Sequence, residues 1–485
     1  MKKAIIIGSG FSSLSAACYM AQNGFQVEIH EKNNQLGGRA RQYVRDGFKF
    51  DMGPTWYWMP DVFEKFFSDF GKSPSDYYSL EKLGPAYRVY FGQDDCIDIS
   101  NEPSEIIQRF ETEEKGAGLA LEKFISKAKS NYEIAIQDLV YKPGLSPLEL
   151  VTPKTVTELA QFATTITGMV RKNFKSPKLR QILEFPVLFL GAKPSKTPAF
   201  YSFMNYADFG LGTWYPKGGM RSVVDGIIQL AEELGVKFVT NSNISQINVN
   251  ENQEVESVTV NDYIVYADIV ISGADYQHSE SLLESRFQRY SQSYWQKRVM
   301  APSSLLFYVG FDKKLKNVLH HSLFFDVPFD AHAVEIYDDP KWPTNPLFYA
   351  SFPSITDDTV APNGKEAAIF LIPLATDLED TEELRNKYFD IIINRLEEIT
   401  KQSVRSNVMF KESYCVNDFK EDYNSYKGNA YGMANTLTQT AFLRPKLKSN
   451  KVKNLFFTGQ LTVPGPGVPP ALISGKLVSN LIQQS

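Results

Sequence analysis

Two glycines and an acidic residue near the N-terminus have the spacing of a dinucleotide-binding motif. Gly8 and Gly10 follow a short apolar run, and Glu31 lies about 20 residues further on, just past a second apolar run. In such motifs the first glycine permits a tight turn, the second lets the backbone approach a pyrophosphate, and the acid accepts hydrogen bonds from ribose hydroxyls. Ser13 stands where a third glycine is usual, and it is small enough for close helix–strand packing. The spacing therefore predicts a dinucleotide site rather than a bare β-turn-α packing unit.

The elements that must position these residues form a βαβ unit. Residues 4–7 are mostly β-branched and too few for a buried helix, so they predict a buried strand. Residues 14–23 have helical spacing and end at Gly24, and residues 25–29 predict a second strand. The N-terminus of the helix would present amide N–H groups and a positive dipole to the phosphates.

A second glycine pair helps to distinguish between dinucleotides. Gly37, Gly38 and Arg39 closely follow the acid. Two glycines and a guanidinium suit a ligand with a longer pyrophosphate path, and NAD enzymes do not need this element. Arg39 could also be a plain surface charge, but its place directly after the glycines favours a phosphate contact. The pattern therefore favours FAD.

A second strand–turn–helix lies at the other end of the chain. Residues 454–460 predict a buried strand, 461–470 a rigid loop rich in proline and glycine, and 471–483 a helix. We expect this turn to reach the flavin ring while the first turn holds the pyrophosphate. A simple surface turn is the alternative.

The composition limits the remaining function classes. A chain of 485 residues predicts two or three domains, and the net charge of −5 gives no electrostatic reason to expect nucleic acid. The three cysteines lie far apart, as expected in a reducing cytoplasm, and the five histidines show no metal-ligand spacing with them. We expect no metal site, no signal peptide and no transmembrane helix.

The aromatic content of 13% exceeds what a core usually requires, and it suggests a large apolar ligand or a membrane-facing patch. Within a helical region, an apolar stripe is followed by a basic cluster. This pattern is typical of an interfacial helix on an anionic membrane, but a domain-packing helix with a solvated basic end would look the same. The stripe comprises Leu159, Phe162, Ile166, Met169 and Val170, and the cluster comprises Arg171, Lys172, Lys175, Lys178 and Arg180.

Together these residues resemble the bacterial-type phytoene desaturase (carotenoid desaturase) family, a branch of the flavin amine oxidase superfamily. The matching segments are 8–17, Glu31, 37–39, 50–54, 214–220 and 458–475, in the order of that family. The resemblance implies an α/β fold with a Rossmann-like FAD-binding domain of the glutathione-reductase type, an α+β substrate-binding domain and a helical, membrane-associating subdomain. We assign the FAD-binding domain to residues 1–100, 212–275 and 445–485. The substrate-binding domain is assigned to residues 276–444, and the helical subdomain to residues 101–211.

The resemblance also implies that FAD is bound in an extended form. The predicted N-terminal contacts are Gly8, Gly10, Phe11, Ser12, Ser13, Glu31, Lys32, Gly38 and Arg39. The adenine would meet the backbone of Ile244, and the flavin ring would lie against Gly459, Gln460, Val463, Gly467 and Val468.

The implied reaction removes a hydride and a proton from adjacent CH₂ groups of a long polyene and leaves a new double bond. A substrate without a charged handle calls for an aromatic tunnel. The tunnel candidates are Trp56, Tyr57, Trp58, Phe203, Tyr206, Phe209 and Trp214, of which we expect two or three to face the ligand. Asp51, Arg88 and Asp208 are the polar candidates for a catalytic role, with structural pairing as the alternative for each.

Several functions fit this sequence. The first is desaturation of phytoene-type carotenoids, and the second is 3,4-desaturation of 1′-hydroxycarotenoids. A flavin amine oxidase and an escort for prenylated proteins share the fold. The expected partners are a polyene, a membrane surface, and oxygen or a quinone as electron acceptor. The expected location is cytoplasmic, peripheral on the inner face of the membrane.

Overall fold

The computed structural model describes residues 1–153, 155, 161, 164–436 and 438–484. The strands are β1 (Lys3–Ile7), β2 (Gln26–His30), β3 (Gln42–Arg45), β4 (Phe48–Asp51), β5 (Leu80–Lys82), β6 (Tyr87–Gly92), β7 (Asp95–Ile99), β8 (Trp214–Pro216), β9 (Lys237–Val239), β10 (Ile244–Val249), β11 (Val255–Val260), β12 (Tyr263–Tyr266), β13 (Ile269–Ser272), β14 (Ser303–Phe311), β15 (His321–Phe324), β16 (Phe348–Ser351), β17 (Glu366–Leu374), β18 (Val408–Tyr414) and β19 (Leu455–Phe457). The helices span Phe11–Gln22, Pro60–Ser68, Pro103–Glu113, Ala117–Ile134, Ile166–Asn173, Pro177–Glu184, Phe203–Phe209, Met220–Glu233, Tyr276–Ser281, Gln292–Gln296, Phe329–Tyr337, Glu382–Thr400, Val416–Tyr423 and Val468–Gln483.

The first sheet is parallel and has the strand order β19-β13-β1-β2-β9. Its central strand β1 is buried on both faces, which explains why residues 4–7 read as a continuous apolar run. The predicted Rossmann-like sheet is therefore confirmed. Because the carboxyl ends of parallel strands share one edge, the turns after β1, β2 and β19 come together there.

The first and last helices of the chain pack against each other over this sheet. Ser15 Oγ donates to Leu472 O at 2.7 Å. A Cβ on Gly475 would lie 2.6 Å from Ala16 N and from Ser12 O, so only glycine permits this approach. The contact joins two βα turns that are more than 400 residues apart.

The segment after Gly235 divides between two sheets. Its first and last strands, β9 and β13, extend the parallel sheet. The hairpin strands β10, β11 and β12 form a separate antiparallel sheet of their own.

The second large sheet has seven strands in the order β18-β14-β17-β16-β15-β6-β7. One strand pair of this sheet comes from the segment assigned to the FAD-binding domain, because β6 pairs in parallel with β15 through Arg88 and Ser322. Residues 87–99 therefore belong to the second sheet by strand pairing. A strand pair read from sequence carries no signal of which sheet it joins, and only the long-range pairing decides this.

The helical region packs its apolar residues inward. Ile166 and Val170 are fully buried in the core, and Arg171 forms ion pairs with Glu184 and Asp330. Leu159 and Phe162 lie outside the described residues. The described part of the stripe is thus occupied by protein contacts. No helix among the described residues is both long and apolar enough to cross a membrane.

Candidate functional site

A single continuous cavity of about 840 Å³ joins the parallel sheet, the seven-stranded sheet and the helical region. One end is lined by the turns after β1, β2 and β19, and the other by apolar side chains from the second sheet and the helices. This volume is in the usual range for ligand sites. We call the two parts the cofactor end and the substrate end.

Glycines form the backbone cradle of the cofactor end. Gly8, Gly37 and Gly38 have φ of +82°, +115° and +57°, in the left-handed region that favours glycine. A Cβ on Gly38 would lie 3.1 Å from the Cα of Gly10. The two turns thus approach backbone to backbone, as a pyrophosphate site requires.

Glu31 is fixed by four hydrogen bonds. Its Oε2 accepts from Ser9 N at 3.0 Å and from Ser9 Oγ at 2.7 Å. Its Oε1 accepts from Asn33 N at 2.9 Å and from Asn33 Nδ2 at 3.0 Å. These donors fill the usual acceptor sites of a carboxylate, so a ribose hydroxyl would replace one of them, and the Ser9 hydroxyl is the one free to rotate.

Arg39 lines the cofactor end and keeps a free donor. One terminal nitrogen donates to Ser425 Oγ and to Asn429 O, both at 3.2 Å, whereas the buried Nε has no partner within the described ranges of the chain. Burial lowers the pKa of Arg39, while the nearby Asp275 opposes that shift. An unsatisfied buried N–H beside the glycine cradle fits a phosphate oxygen, so the residues present fit FAD.

Asp275 is a residue of this site that the sequence did not reveal. It follows β13, lines the cavity and accepts from Gln277 N at 3.1 Å. Burial raises the pKa of its carboxyl, and the Arg39 guanidinium opposes this. The sequence feature that could have revealed Asp275 is its position at the end of a strand, which joins the parallel sheet.

The C-terminal turn begins its helix earlier than predicted, at Val468 rather than Ala471. Ser474 Oγ accepts from Gly459 N at 3.0 Å and from Thr458 Oγ1 at 2.9 Å, which ties the end of β19 to the helix. Because the next two helical residues are prolines, Val468 alone supplies an N–H among the first three. The positive end of this helix therefore offers fewer donors than the sequence pattern indicates.

Nearly all the predicted cofactor residues line the cavity. Ser13 does not line the cavity. A Cβ on Gly273 would lie 2.0 Å from Ser13 Oγ, so Ser13 packs the first helix closely against the end of β13. This is the role of the missing third glycine. That each lining residue contacts FAD stays a prediction. The predicted cofactor residues that line the cavity are Gly8, Gly10, Phe11, Ser12, Glu31, Lys32, Gly38, Arg39, Ile244, Gly459, Gln460, Val463, Gly467 and Val468.

Three of the seven tunnel candidates line the cavity: Trp56, Trp58 and Phe203. The other four do not line the cavity, and each lies against a protein partner. Tyr57 stacks on Phe63 at 4.2 Å, Tyr206 lies against Tyr132 at 5.4 Å, Phe209 packs on Phe110 at 6.2 Å, and the Trp214 indole donates to Leu211 O at 3.0 Å.

None of the three polar catalytic candidates is among the described residues that line the cavity. Asp51 accepts from Met220 N at 2.8 Å at the start of a helix, and burial raises its pKa to about 7. Asp208 accepts from the Tyr87 hydroxyl at 2.7 Å, and burial raises its pKa to about 8. Arg88 forms a bidentate pair with Asp98 between β6 and β7. Each has a structural partner.

A polar group in the wall was not predicted. The hydroxyls of Thr55 and Tyr349 lie 2.8 Å apart, and Tyr349 also lies 2.7 Å from Nδ1 of His321. The His321 ring stacks on Trp56 at 4.1 Å. Burial holds the pKa of His321 well below its usual value, and electrostatic repulsion from His320 lowers it further, so the ring is neutral. Thr55 adjoins the predicted Trp56, but His321 comes from a distant strand.

The comparison with protein families decides the class of this protein. A model of the flavin containing amine oxidoreductases matches residues 11–483. The chain belongs to this family. The oxidoreductase class and the flavin cofactor, FAD, are thereby confirmed.

Two relatives of this family member span nearly the whole chain. A carotenoid 3,4-desaturase of Haloarcula japonica is 41% identical over 97% of this chain and 96% of its own length. A 4,4′-diapophytoene desaturase (4,4′-diaponeurosporene-forming) of Staphylococcus haemolyticus is 31% identical over 98% of this chain and 97% of its own. The predicted resemblance to carotenoid desaturases is confirmed.

Solved structures support the fold of this flavoprotein. An oxidoreductase from Methanosarcina mazei has a TM-score of 0.64 at 16% identity, covering 99% of this chain and 100% of its own. Putrescine oxidase bound to putrescine has a TM-score of 0.63 at 13% identity, covering 100% and 99%.

Proposed function

We propose that this protein is an FAD-dependent carotenoid desaturase that introduces C=C bonds into a long polyene during carotenoid biosynthesis. The observation that carries the proposal is the continuous cavity. Its cofactor end has glycine turns and a free buried donor, and its substrate end has an apolar aromatic wall. The relatives named as desaturases support the same conclusion.

The substrate end fits a hydrocarbon better than an amine. Its walls include Phe185, Leu306, Leu323, Phe325 and Phe329. A cationic amine would need a free carboxylate to pair with its charge. Among the described residues lining this end, the carboxylate of Glu149 accepts from Gly144 N and Leu145 N and is thus occupied.

When bound, FAD would supply the acceptor for the hydride. The chain supplies position and dryness. Trp56 and Trp58 form an edge-to-face pair with centroids 5.2 Å apart, and Phe203 adds a third ring to the wall. Such rigid apolar walls hold a flat polyene in one orientation and exclude water from the reacting carbons.

The runner-up is a 3,4-desaturase of hydroxylated carotenoids. Two observations favour it: the 41% identical relative is a carotenoid 3,4-desaturase, and the wall contains the Thr55–Tyr349 hydroxyl pair. Hydroxyls in an otherwise apolar wall suit a substrate oxygen.

Incubation with FAD and liposomes that hold phytoene or a 1′-hydroxy carotenoid tests both functions. We expect a product with extended conjugation, detected by absorbance and mass. Oxygen and a quinone are added separately to identify the electron acceptor. Putrescine is the control amine. Oxidation of putrescine without conversion of either polyene would replace the proposal with an amine oxidase, and a protein that binds no flavin would point to an escort.

We also propose that the protein acts at the inner face of the membrane, with residues 145–151 in contact with lipid. Leu145, Leu148 and Val151 are 60%, 76% and 63% exposed, and Val151 also lines the cavity. An apolar rim at the mouth would let a lipid-dissolved substrate enter without crossing water. Leu148→Glu should reduce sedimentation with anionic liposomes by about tenfold.

Ile264→Glu is the matched control for this change. Ile264 is also 60% exposed, but it lies on β12 and does not line the cavity. Equal losses in the two variants would contradict the proposed membrane face.

A further inference from the structure

Arg444 is a buried cation without an anionic partner among the described residues. It is 1% exposed, and none of the ion pairs among the described residues includes it. Its terminal nitrogens donate to neutral oxygens: Gln460 O at 3.0 Å, Met433 O at 2.8 Å and the side chain of Asn435. Its Nε has no hydrogen-bond partner in the part of the chain that the structure describes.

Three other arginines that are largely buried each have a carboxylate partner. Arg41 pairs with Asp422, Arg385 with Asp380, and Arg395 with Asp326. A buried charge without a counter-ion is costly, and a protein usually keeps one only where something compensates it. Burial lowers the pKa of Arg444 to about 10, so the guanidinium is still charged at neutral pH.

The guanidinium lies directly behind the C-terminal turn. Two of the residues it holds, Gln460 and Asn435, line the cavity, as do Pro464 and Pro466. A Cβ on Gly465, between those prolines, would lie 3.3 Å from Arg444 Cζ. This turn is the one predicted to meet the flavin ring, and its helix offers few donors.

We propose that Arg444 provides the positive charge that stabilises the flavin ring after reduction. A hydride brings two electrons and one proton, so the ring that accepts it gains one negative charge. In a dry site that charge needs a nearby cation. The inference rests on the flavin cofactor of the family and not on the polyene substrate, so a failed carotenoid assay leaves it standing.

A purely structural role is the competing explanation, because three hydrogen bonds tether residues 433–435 to Gln460. Two substitutions separate charge from tether. Arg444→Lys keeps the charge and loses the planar fork, whereas Arg444→Gln loses the charge and most of the fork. A structural role predicts similar effects of both on the flavin. An electrostatic role predicts that the sulfite affinity and the reduction potential of the flavin fall only in Arg444→Gln, which loses the charge.

The experiment measures sulfite binding and the reduction potential of the bound flavin, in the absence of any substrate. Sulfite adds to the ring as an anion and therefore reports the same stabilisation. For Arg444→Gln we expect about tenfold weaker sulfite binding and a potential about 30 mV lower, the equivalent of tenfold for two electrons. Arg444→Lys should stay near wild type. Arg286→Gln is the charge control, since Arg286 is exposed on the surface.

Unchanged sulfite affinity and potential in Arg444→Gln would overturn the proposal, as would equal losses in the lysine and glutamine variants. If the glutamine variant does not fold with FAD, the wild-type protein decides. The proposal requires a potential above that of free FAD and measurable sulfite binding. A lower potential or no sulfite binding would refute it.

Discussion

The two ends of one cavity are built in opposite ways. The cofactor end consists largely of backbone and of polar groups with defined partners, as in the four hydrogen bonds to Glu31. The substrate end consists of side chains from separate elements, such as Trp56, Phe203 and Tyr349. We therefore expect the binding of FAD to depend on backbone geometry and the choice of substrate to depend on side-chain packing. Substitutions at the two ends should therefore have separable effects.

The largest effect is expected for Gly38→Ala. The new Cβ would lie 3.1 Å from Gly10 Cα, and the φ of +57° is unfavourable for alanine. We expect FAD affinity to fall by about a hundredfold, since a cradle that must shift loses several contacts at once. Fluorescence titration of the apoprotein with FAD measures it.

Gly24→Ala is its matched control. Gly24 has φ of +83°, but a Cβ there would meet no atom of a described residue within 4 Å. The control carries the same kind of backbone strain, about 1 kcal/mol, with no crowding of the cradle. An equal loss of FAD affinity in both variants would show that the cradle has no special role.

The next effect is expected for Glu31→Ala, which removes the acceptor that orders Ser9 and Asn33. FAD affinity should fall by about tenfold, as for loss of one charged hydrogen bond. Sedimentation with liposomes should not change. Isothermal titration with FAD gives the affinity, and a variant that binds as tightly as wild type would remove Glu31 from the predicted cofactor site.

At the substrate end, Phe203→Leu should raise the KM for a polyene by about fivefold while FAD affinity stays constant, because an aromatic wall contact is lost. Phe209→Leu is the matched change, since Phe209 lies on the same helix but does not line the cavity. It should lower the free energy of unfolding by about 1 kcal/mol and leave KM unchanged. A raised KM in Phe209→Leu together with an unchanged KM in Phe203→Leu would contradict this description of the wall.

The last prediction concerns pH and the free energy of unfolding rather than binding, and it lies outside both ends. Burial raises the pKa of Asp208 to about 8, so the folded state binds its proton more tightly than the unfolded chain does. Its contribution to the free energy of unfolding is complete below pH 4 and is lost as the pH rises to about 8. The free energy of unfolding of Asp208→Asn, relative to that of wild type, should therefore increase as the pH rises from 4 to about 8. Denaturant unfolding at pH 5 and pH 8 tests the sign.

The sequence by itself determined the cofactor end, because local rules govern it. A turn that requires glycine, an acid after a strand and a Gly-Gly-Arg run are each written within a few residues. Periodicity also predicted the parallel strands 3–7 and 26–30 to within a few residues. Even the replacement of the third glycine by Ser13 kept its packing role against Gly273.

Only the tertiary structure decided the substrate end. Seven aromatic residues had equal standing in the sequence, and four of them do not line the cavity but lie against protein partners, such as Phe63 for Tyr57. His321 reached Tyr349 through strand pairing, and Arg444 came to lie behind Gly465 through a fold that joins distant turns. The physical reason is that side-chain burial and charge compensation depend on neighbours far along the chain, whereas turn geometry depends on the residues of the turn itself.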